Sequence, residues 1–366
     1  MGYNVRVVSI WNYFPCFYYM APNWLKKMAI KKFGCVLPEK QLPDDISYEL
    51  DGVRVYRYTL KKIMPASRIS EKQLDELSLK IERALCEETF VPDYIISHWA
   101  TPQIYVSNKL KKVYATAKTA LILHEDGKRI KQYDNWRELV ANVDVWGYRS
   151  LAIKQSFESE FGEKKRSFRC CSGIPSHYLE NLPKREWNHR NRYIYVGYLL
   201  RRKFADVAIK AVAEACTNSE FQFNIIGNGE MQIDLENLVF NEQLQNSVHL
   251  LGRLKRDQIL SYLDSSDVFV MISKNEVFGL VYLEAMARGC VVIASRNEGM
   301  EGIIVDGYNG FLCEAGNQNE LVGILTKINS LPPEKLQEIS CNASRTAEQY
   351  TDVAVARNYI NYVKQL

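Results

Sequence analysis

The chain lacks most of the features that announce a special architecture. Its 366 residues hold nine cysteines but no Cys-x-x-Cys pair, which excludes a zinc knuckle and a thioredoxin-type motif. Scattered at Cys16, Cys35, Cys86, Cys170, Cys171, Cys216, Cys290, Cys313 and Cys341, they read mostly as small buried hydrophobes. No stretch approaches the ~20 uninterrupted apolar residues that a spanning helix needs. Near the N-terminus Arg6 is followed only by Val-Val-Ser-Ile-Trp, with no long apolar run and no small-residue cleavage site, so the expected location is cytoplasmic. No Gly-x-Gly-x-x-Gly follows a first strand in either half, which argues against a dinucleotide-dependent oxidoreductase. Metal-ligand spacings, low-complexity segments, short-period repeats and nucleic-acid recognition motifs are missing as well.

What is there is an ordinary globular composition, 47% apolar and 25% charged. The length suits two α/β domains of roughly 150–200 residues each. The net charge of +4 is unevenly spread: residues 1–180 carry 28 Lys and Arg against 21 Asp and Glu, and residues 181–366 carry 19 against 22. That is either drift between halves or a basic first half suited to an anionic lipid or other anionic partner.

Apolar β-type runs alternate with helical stretches. In the first half, Val5–Ile10 reads as a strand of the buried parallel type, Trp24–Phe33 as a helix, Val53–Tyr58 as a strand and Glu71–Glu88 as a long amphipathic helix. Tyr94–Ser97 and Ala120–Leu123 read as further strands. Cys171-Ser-Gly-Ile-Pro175 closes this half, and the polar stretch Leu182–Arg192 reads as the linker. The rhythm then restarts with strands at Tyr193–Val196, Phe221–Ile226, Val248–Leu251, Val268–Ile272 and Cys290–Ala294. Helices are expected at Asp206–Ala215, Asp257–Asp264 and Gly279–Arg288. The pattern predicts an α/β protein with parallel sheets. Several strands run into Gly or Ser just before a loop, and in open α/β sheets ligands bind outside such carboxyl ends.

The most informative stretch runs from Ser273 to Ser295. A buried strand ends near Ser273, a loop carries Glu276, and Gly279 opens a helix whose free backbone N–H groups form a ready anion site. A carboxylate just before such a helix would repel a phosphate unless it points elsewhere, for example at sugar hydroxyls. Glu284, a turn and a half into the helix, is placed to accept hydrogen bonds from a ribose diol.

Glu276 and Glu284, with Phe278-Gly279-Leu280 between them and Glu-Ala-Met-Ala-Arg-Gly then Val-Ile-Ala-Ser after them, resemble the Glu-x7-Glu signature of retaining family 4 glycosyltransferases. These are the group 1 enzymes of the GT-B fold. Val196-Gly197-Tyr198-Leu199 followed by Lys203 and Asp206 resembles another of their motifs, as do Ile225-Ile-Gly227-Asn228-Gly229, Leu250-Leu-Gly252-Arg253-Leu254 and Asp306-Gly307-x-Asn309-Gly310. Pro92-Asp93-Tyr-Ile-Ile-Ser-His98-Trp99 and Leu121-Ile-Leu-His124-Glu125-Asp126 are similar to first-domain strand ends.

The resemblance implies two Rossmann-like domains facing each other across a cleft: residues 1–182 on the acceptor side and 190–350 binding the nucleotide-sugar, with a C-terminal helix over about 351–366 packing back on the first. It implies a sugar moved from a nucleoside-diphosphate donor, UDP first and GDP second, to a glycan or lipid-linked hydroxyl in cell-surface polysaccharide assembly. It assigns chemistry to Glu276, His124 and Lys203, and nucleotide contacts to Glu284, Phe278, Gly279, Leu280, Gly227, Asn228, Arg253 and Leu254. It calls for no cofactor and no metal, and for no nucleic-acid partner.

Two departures stand out. The family's second cation is Tyr198 here, for which Arg201 or Arg202 is the substitute, and its glycine is Phe204. The expected first loop, Trp11–Met20, has six aromatics and no glycine, which suits a reshaped acceptor site, a lipid-facing surface or altered donor binding. The following segment, Asn23–Phe33, pairs four lysines with an apolar face. It is either a first helix packed on the sheet or a peripheral contact with the anionic inner face of a membrane. A non-catalytic nucleotide-binding relative, and an epimerase or hydrolase of the same fold using Glu125-Asp126, remain as alternatives.

Overall fold

The computed structural model describes residues 2–22, 24–25, 28, 44–63, 67–187, 191–217 and 220–365. The lysine-rich segment expected as a helix over Trp24–Phe33 lies largely outside them. The chain divides into two compact units, Met1–Ala120 with Arg129–Asp144, and Leu121–Lys128 with Val145–Leu366.

In the first unit, β1 (Arg6–Tyr13) lies parallel to β3 (Val53–Lys61), and β2 (Ile46–Leu50) runs antiparallel to β3. Asp51 and Gly52, with φ of 50° and 76°, make the tight β2–β3 turn, as a two-residue hairpin requires. The helix Glu71–Glu87 starts at a capping box of Ser70 and Gln73 and buries Leu74, Leu77, Ile81 and Leu85. Two expectations are corrected here. β1 was read as a buried strand, yet Val7 and Trp11 are exposed; among the described strands of its sheet, β3 alone pairs with it. The stretch read as a long first loop is the end of β1 followed by a short helix, Cys16–Met20, because the aromatic run continues the strand and Pro15 then opens the helix.

A four-stranded sheet has the order β4 (Tyr94–His98), β5 (Lys118–Leu123), β6 (Val145–Tyr148), β7 (Ser167–Arg169), the division between units falling within β5.

The second unit is built on six parallel strands in the order β10-β9-β8-β11-β12-β13. Their ranges are β8 Arg192–Val196, β9 Gln222–Ile226, β10 Val248–Gly252, β11 Val268–Val270, β12 Val291–Ser295 and β13 Phe311–Cys313. Numbered from β8, this is the doubly wound order 3-2-1-4-5-6, whose switch point falls between β8 and β11. These strands read as unbroken apolar runs because helices cover both faces; Ile194, Phe223, Phe269 and Ile293 have no exposed surface. All five strands expected in this half are found, their ends shifted by one or two residues.

The helix Asp352–Lys364, capped by Thr351, is joined to the end of the β7 segment. Ile174 N donates to Tyr350 O at 2.9 Å and Asp352 N to Ile174 O at 2.8 Å. The Phe168 ring lies 5.0 Å from Tyr362 and 5.7 Å from Tyr359.

Two buried guanidinium groups fasten the stretch 178–185. Arg288 donates to the carbonyls of Tyr178, Glu180 and Asn181 at 2.7–3.1 Å and to Asp264 at 2.6 Å. Arg185 donates to Ser266 O, to Leu263 O at 2.9 Å and to Arg288 O at 2.7 Å. It also lies 3.9 Å from the fully buried Asp267. Replacing Arg185 by Ala strands these acceptors, so Arg185→Ala is expected to lower stability by about 3 kcal/mol in urea denaturation. A loss under about 1 kcal/mol would mean that water takes over the carbonyls.

Candidate functional site

The site grows from the carboxyl ends of β8 and β11. After β8 the chain passes Gly197, Tyr198 and Leu199 into a single 3-10 turn, Arg201–Lys203. The turn ends at Phe204, whose backbone is left-handed (φ 52°, ψ 40°). That conformation explains why a glycine suits this position; here the Phe204 ring instead packs against Gly316, where an added Cβ would come within 2.8 Å of it.

The turn leaves Lys203 buried, 8% exposed, with its ammonium on the Glu276 carboxylate. Glu276 is held by two further hydrogen bonds, one of them backed by Tyr282. Ser273 Oγ donates to its Oε2 at 3.1 Å, Tyr282 OH is 3.2 Å from that Oγ and donates to Met271 O at 2.8 Å, and the Glu276 amide donates to Glu298 Oε2 at 2.7 Å. Burial pushes the Tyr282 phenol well above its ordinary pKa, so it remains a neutral donor.

Gly279 caps the helix Leu280–Ala287 at φ 81°. A Cβ there would meet the Tyr282 ring at 2.4 Å. The same Cβ would lie 3.3 Å from Glu276 Cγ, so the helix start, Glu276 and Lys203 sit together. Phe278 and Leu280 flank Gly279, Phe278 buried and Leu280 half-buried.

Glu284, 7% exposed, has its carboxyl pKa raised by burial, an effect opposed by Arg256. Arg256 Nη2 donates to Glu284 Oε1 at 2.9 Å. Burial and the negative Glu284 also raise the nearby Tyr178 phenol, to about 12.

The strand-end loops meet backbone to backbone. Gly197 N donates to Ile226 O and Leu199 N to Asn228 O, both at 2.9 Å, and Gly227 N donates to Gly252 O at 2.8 Å. A Cβ on Gly227 would lie 1.8 Å from Gly197 O. Arg253, exposed, and Leu254, half-buried, follow β10. His124 follows β5, and His98 ends β4.

Of the two proposed substitutes for the missing cation, Arg202 spends Nη1 on Lys274 O and Asn275 O, each at 3.1 Å, and Arg201 reaches Asp234 at 3.9 Å. Tyr198 is 66% exposed. Sequence reading missed Arg256, Tyr282, Ser273 and Glu298. Only the position of Arg256 at a helix start after β10 carried a signal. Among the described residues no group of three or more His, Cys, Asp or Glu is placed to hold a metal ion, and no helix is long and apolar enough to cross a membrane.

These elements define a protein of the GT-B fold, the two-Rossmann-domain architecture of glycosyltransferases. The chain superposes over 99% of its length on the whole of the Anabaena protein HepE in complex with UDP, at 16% identity and a TM-score of 0.69. Residues 180–346 match the family of glycosyl transferases group 1. Among curated proteins, an uncharacterized glycosyltransferase of Methanocaldococcus jannaschii is 29% identical over 231 residues, 63% of each chain. The amylovoran biosynthesis glycosyltransferase of Erwinia amylovora is 29% identical over 161 residues, 41% of this chain and 39% of that one. The chain thus spans under two thirds of the length of these relatives.

Two glycines separate local strain from steric closure. Gly252→Ala keeps open space around its Cβ despite a φ of 66°, so it is expected to cost about 1 kcal/mol. Gly279→Ala adds the clash with Tyr282 and is expected to cost about 3 kcal/mol. Equal losses in chemical denaturation would show that Tyr282 moves aside.

Proposed function

We propose that this chain is a retaining glycosyltransferase. It takes a sugar from a nucleoside-diphosphate donor, UDP first and GDP second, and moves it to a hydroxyl of a glycan or lipid-linked acceptor in polysaccharide assembly. The observation that carries the proposal is the Lys203–Glu276 pair beside the helix start at Gly279, all at the switch point of a doubly wound sheet.

In this reading the bond from the anomeric carbon to the diphosphate oxygen breaks, and the acceptor oxygen bonds on the same face. The acceptor proton passes to the departing phosphate. Lys203 and the N–H groups of the helix start stabilise the charge gathering on the diphosphate. Glu276 orients the sugar through its hydroxyls, Glu284 accepts from the ribose diol, and His124 contacts the donor sugar. Gly227, Asn228, Arg253 and Leu254 line the nucleotide, and no metal is called on. The similarity to the UDP-bound Anabaena protein supports UDP, and the amylovoran relative supports a polysaccharide acceptor.

A thermal-shift screen against UDP, GDP, ADP and CDP tests the donor half. A nucleotide at 100 times its Kd is expected to add about 2.7 kcal/mol of stability, and Glu284→Ala to abolish the gain. No response to any of the four moves the chain to the non-catalytic reading.

The raised pKa of Glu284 gives a second test. The ribose contact requires the ionised carboxylate, so nucleotide affinity should fall as pH drops through a pKa lying above the ordinary 4.5. Arg256 lowers that pKa; Arg256→Ala should move the midpoint of the affinity profile to higher pH. A profile unchanged in midpoint would remove Glu284 from the binding reaction.

A further inference from the structure

Two arginines outside the Glu276–Glu284 stretch carry charge that the reaction above does not use. Arg149 follows β6, and Arg169 ends β7. The Arg149 guanidinium lies over the Phe278 ring, 5.3 Å from its centroid, and donates to Ser172 Oγ. Arg169 Nη2 donates to Gly299 O at 3.1 Å, and its Nη1 sits 3.3 Å from where a Cβ on Gly302 would be.

The loops they touch form one surface. The Glu276 amide is bonded to Glu298, and a Cβ on Gly299 would lie 2.6 Å from the Phe278 backbone. Both guanidinium groups are half-buried. Among the described residues neither forms an ion pair with a carboxylate, and the Nε of each is buried without a hydrogen-bond partner. Burial pushes the Cys171 thiol up in pKa, and Arg169 and Arg149 both pull it back.

Two half-buried guanidinium groups on loops that touch, neither paired with a carboxylate, favour an anion near both. The planar fork of Arg suits a phosphate bidentately. Lys203 differs, because Glu276 already neutralises it. Both arginines also lie outside residues 180–346, the stretch that matches the family, where a subsite particular to this chain's own substrate belongs.

We propose that Arg149 and Arg169 form a subsite for a phosphate group on the acceptor, seated beside Phe278. The assignment rests on the glycosyltransferase reading. The phosphate belongs either to a soluble sugar phosphate or to a lipid headgroup.

The test is a titration of UDP-saturated wild-type protein with glucose 6-phosphate, with glucose, and with vesicles of phosphatidic acid or phosphatidylcholine. Saturable binding of one phosphate source is expected, at least tenfold tighter than its counterpart without a phosphomonoester, glucose or phosphatidylcholine. Glucose 6-phosphate responding identifies a soluble source, and phosphatidic acid alone a headgroup. Arg149→Ala and Arg169→Ala should each weaken that binding at least tenfold and leave UDP affinity within twofold. Arg149→Lys, which keeps the charge, should recover part of it.

Three results overturn the subsite: no phosphate source binds, both alanine variants bind as wild type does, or UDP affinity falls in step with phosphate affinity. The last would assign the arginines to the donor diphosphate. Wild-type protein that fails to bind any nucleoside diphosphate contradicts the donor reading instead, which separates the two failures.

Discussion

The ion pair between Lys203 and Glu276 is the contact on which the site depends. It joins the loop after β8 to the loop after β11, the strands between which the sheet order reverses. Two opposite charges with little solvent around them attract more strongly than at the surface, and each becomes costly once the other is removed. That mutual dependence fixes the Glu276 side chain, and the Ser273 and Tyr282 hydroxyls extend the restraint to the Met271 carbonyl. The pair is neutral as a whole. On the proposed reaction Lys203 serves the diphosphate once Glu276 turns to the sugar hydroxyls, alongside the N–H groups of the helix start at Gly279.

Around this pair the structure relies on backbone rather than side chains. Gly197 against Gly227, Leu199 against Gly229 and Phe278 against Gly299 bring main chain onto main chain at distances that leave no room for a Cβ. The closely apposed loops present amide and carbonyl groups whose positions do not depend on rotamers. A ligand meeting such a surface finds its polar partners already ordered, which reduces what binding must immobilise.

The second half of the fold was legible because its physics is local. Parallel strands covered on both faces appear as continuous apolar runs, and Gly227 and Gly279 mark places where a side chain cannot fit. The Glu276–Glu284 spacing and Lys203 were picked out by resemblance to known motifs; by itself Lys203 looks like a solvated surface lysine. β1 was misjudged because its apolar run does not reveal how many neighbours pair with it, and β2 was passed over although Asp51-Gly52 marks its turn. Arg256 and Arg149 stayed hidden because their partners, Glu284 and Phe278, are 28 and more than a hundred residues distant in sequence. An arginine in a polar stretch looks the same whether it faces water or a buried carboxylate.

The helix Asp352–Lys364 covers Phe168 with Tyr359 and Tyr362, and Gly173 lies so close to the Asp352 backbone that a Cβ there would be 2.4 Å from its Cα. During synthesis, β6 and β7 emerge long before that helix does. Until it arrives, the Phe168 ring and the Ile174 backbone groups have no cover, and this part of the nascent chain is open to other apolar surfaces. The interval between making Phe168 and making Tyr362 is thus a window of exposure set by chain order.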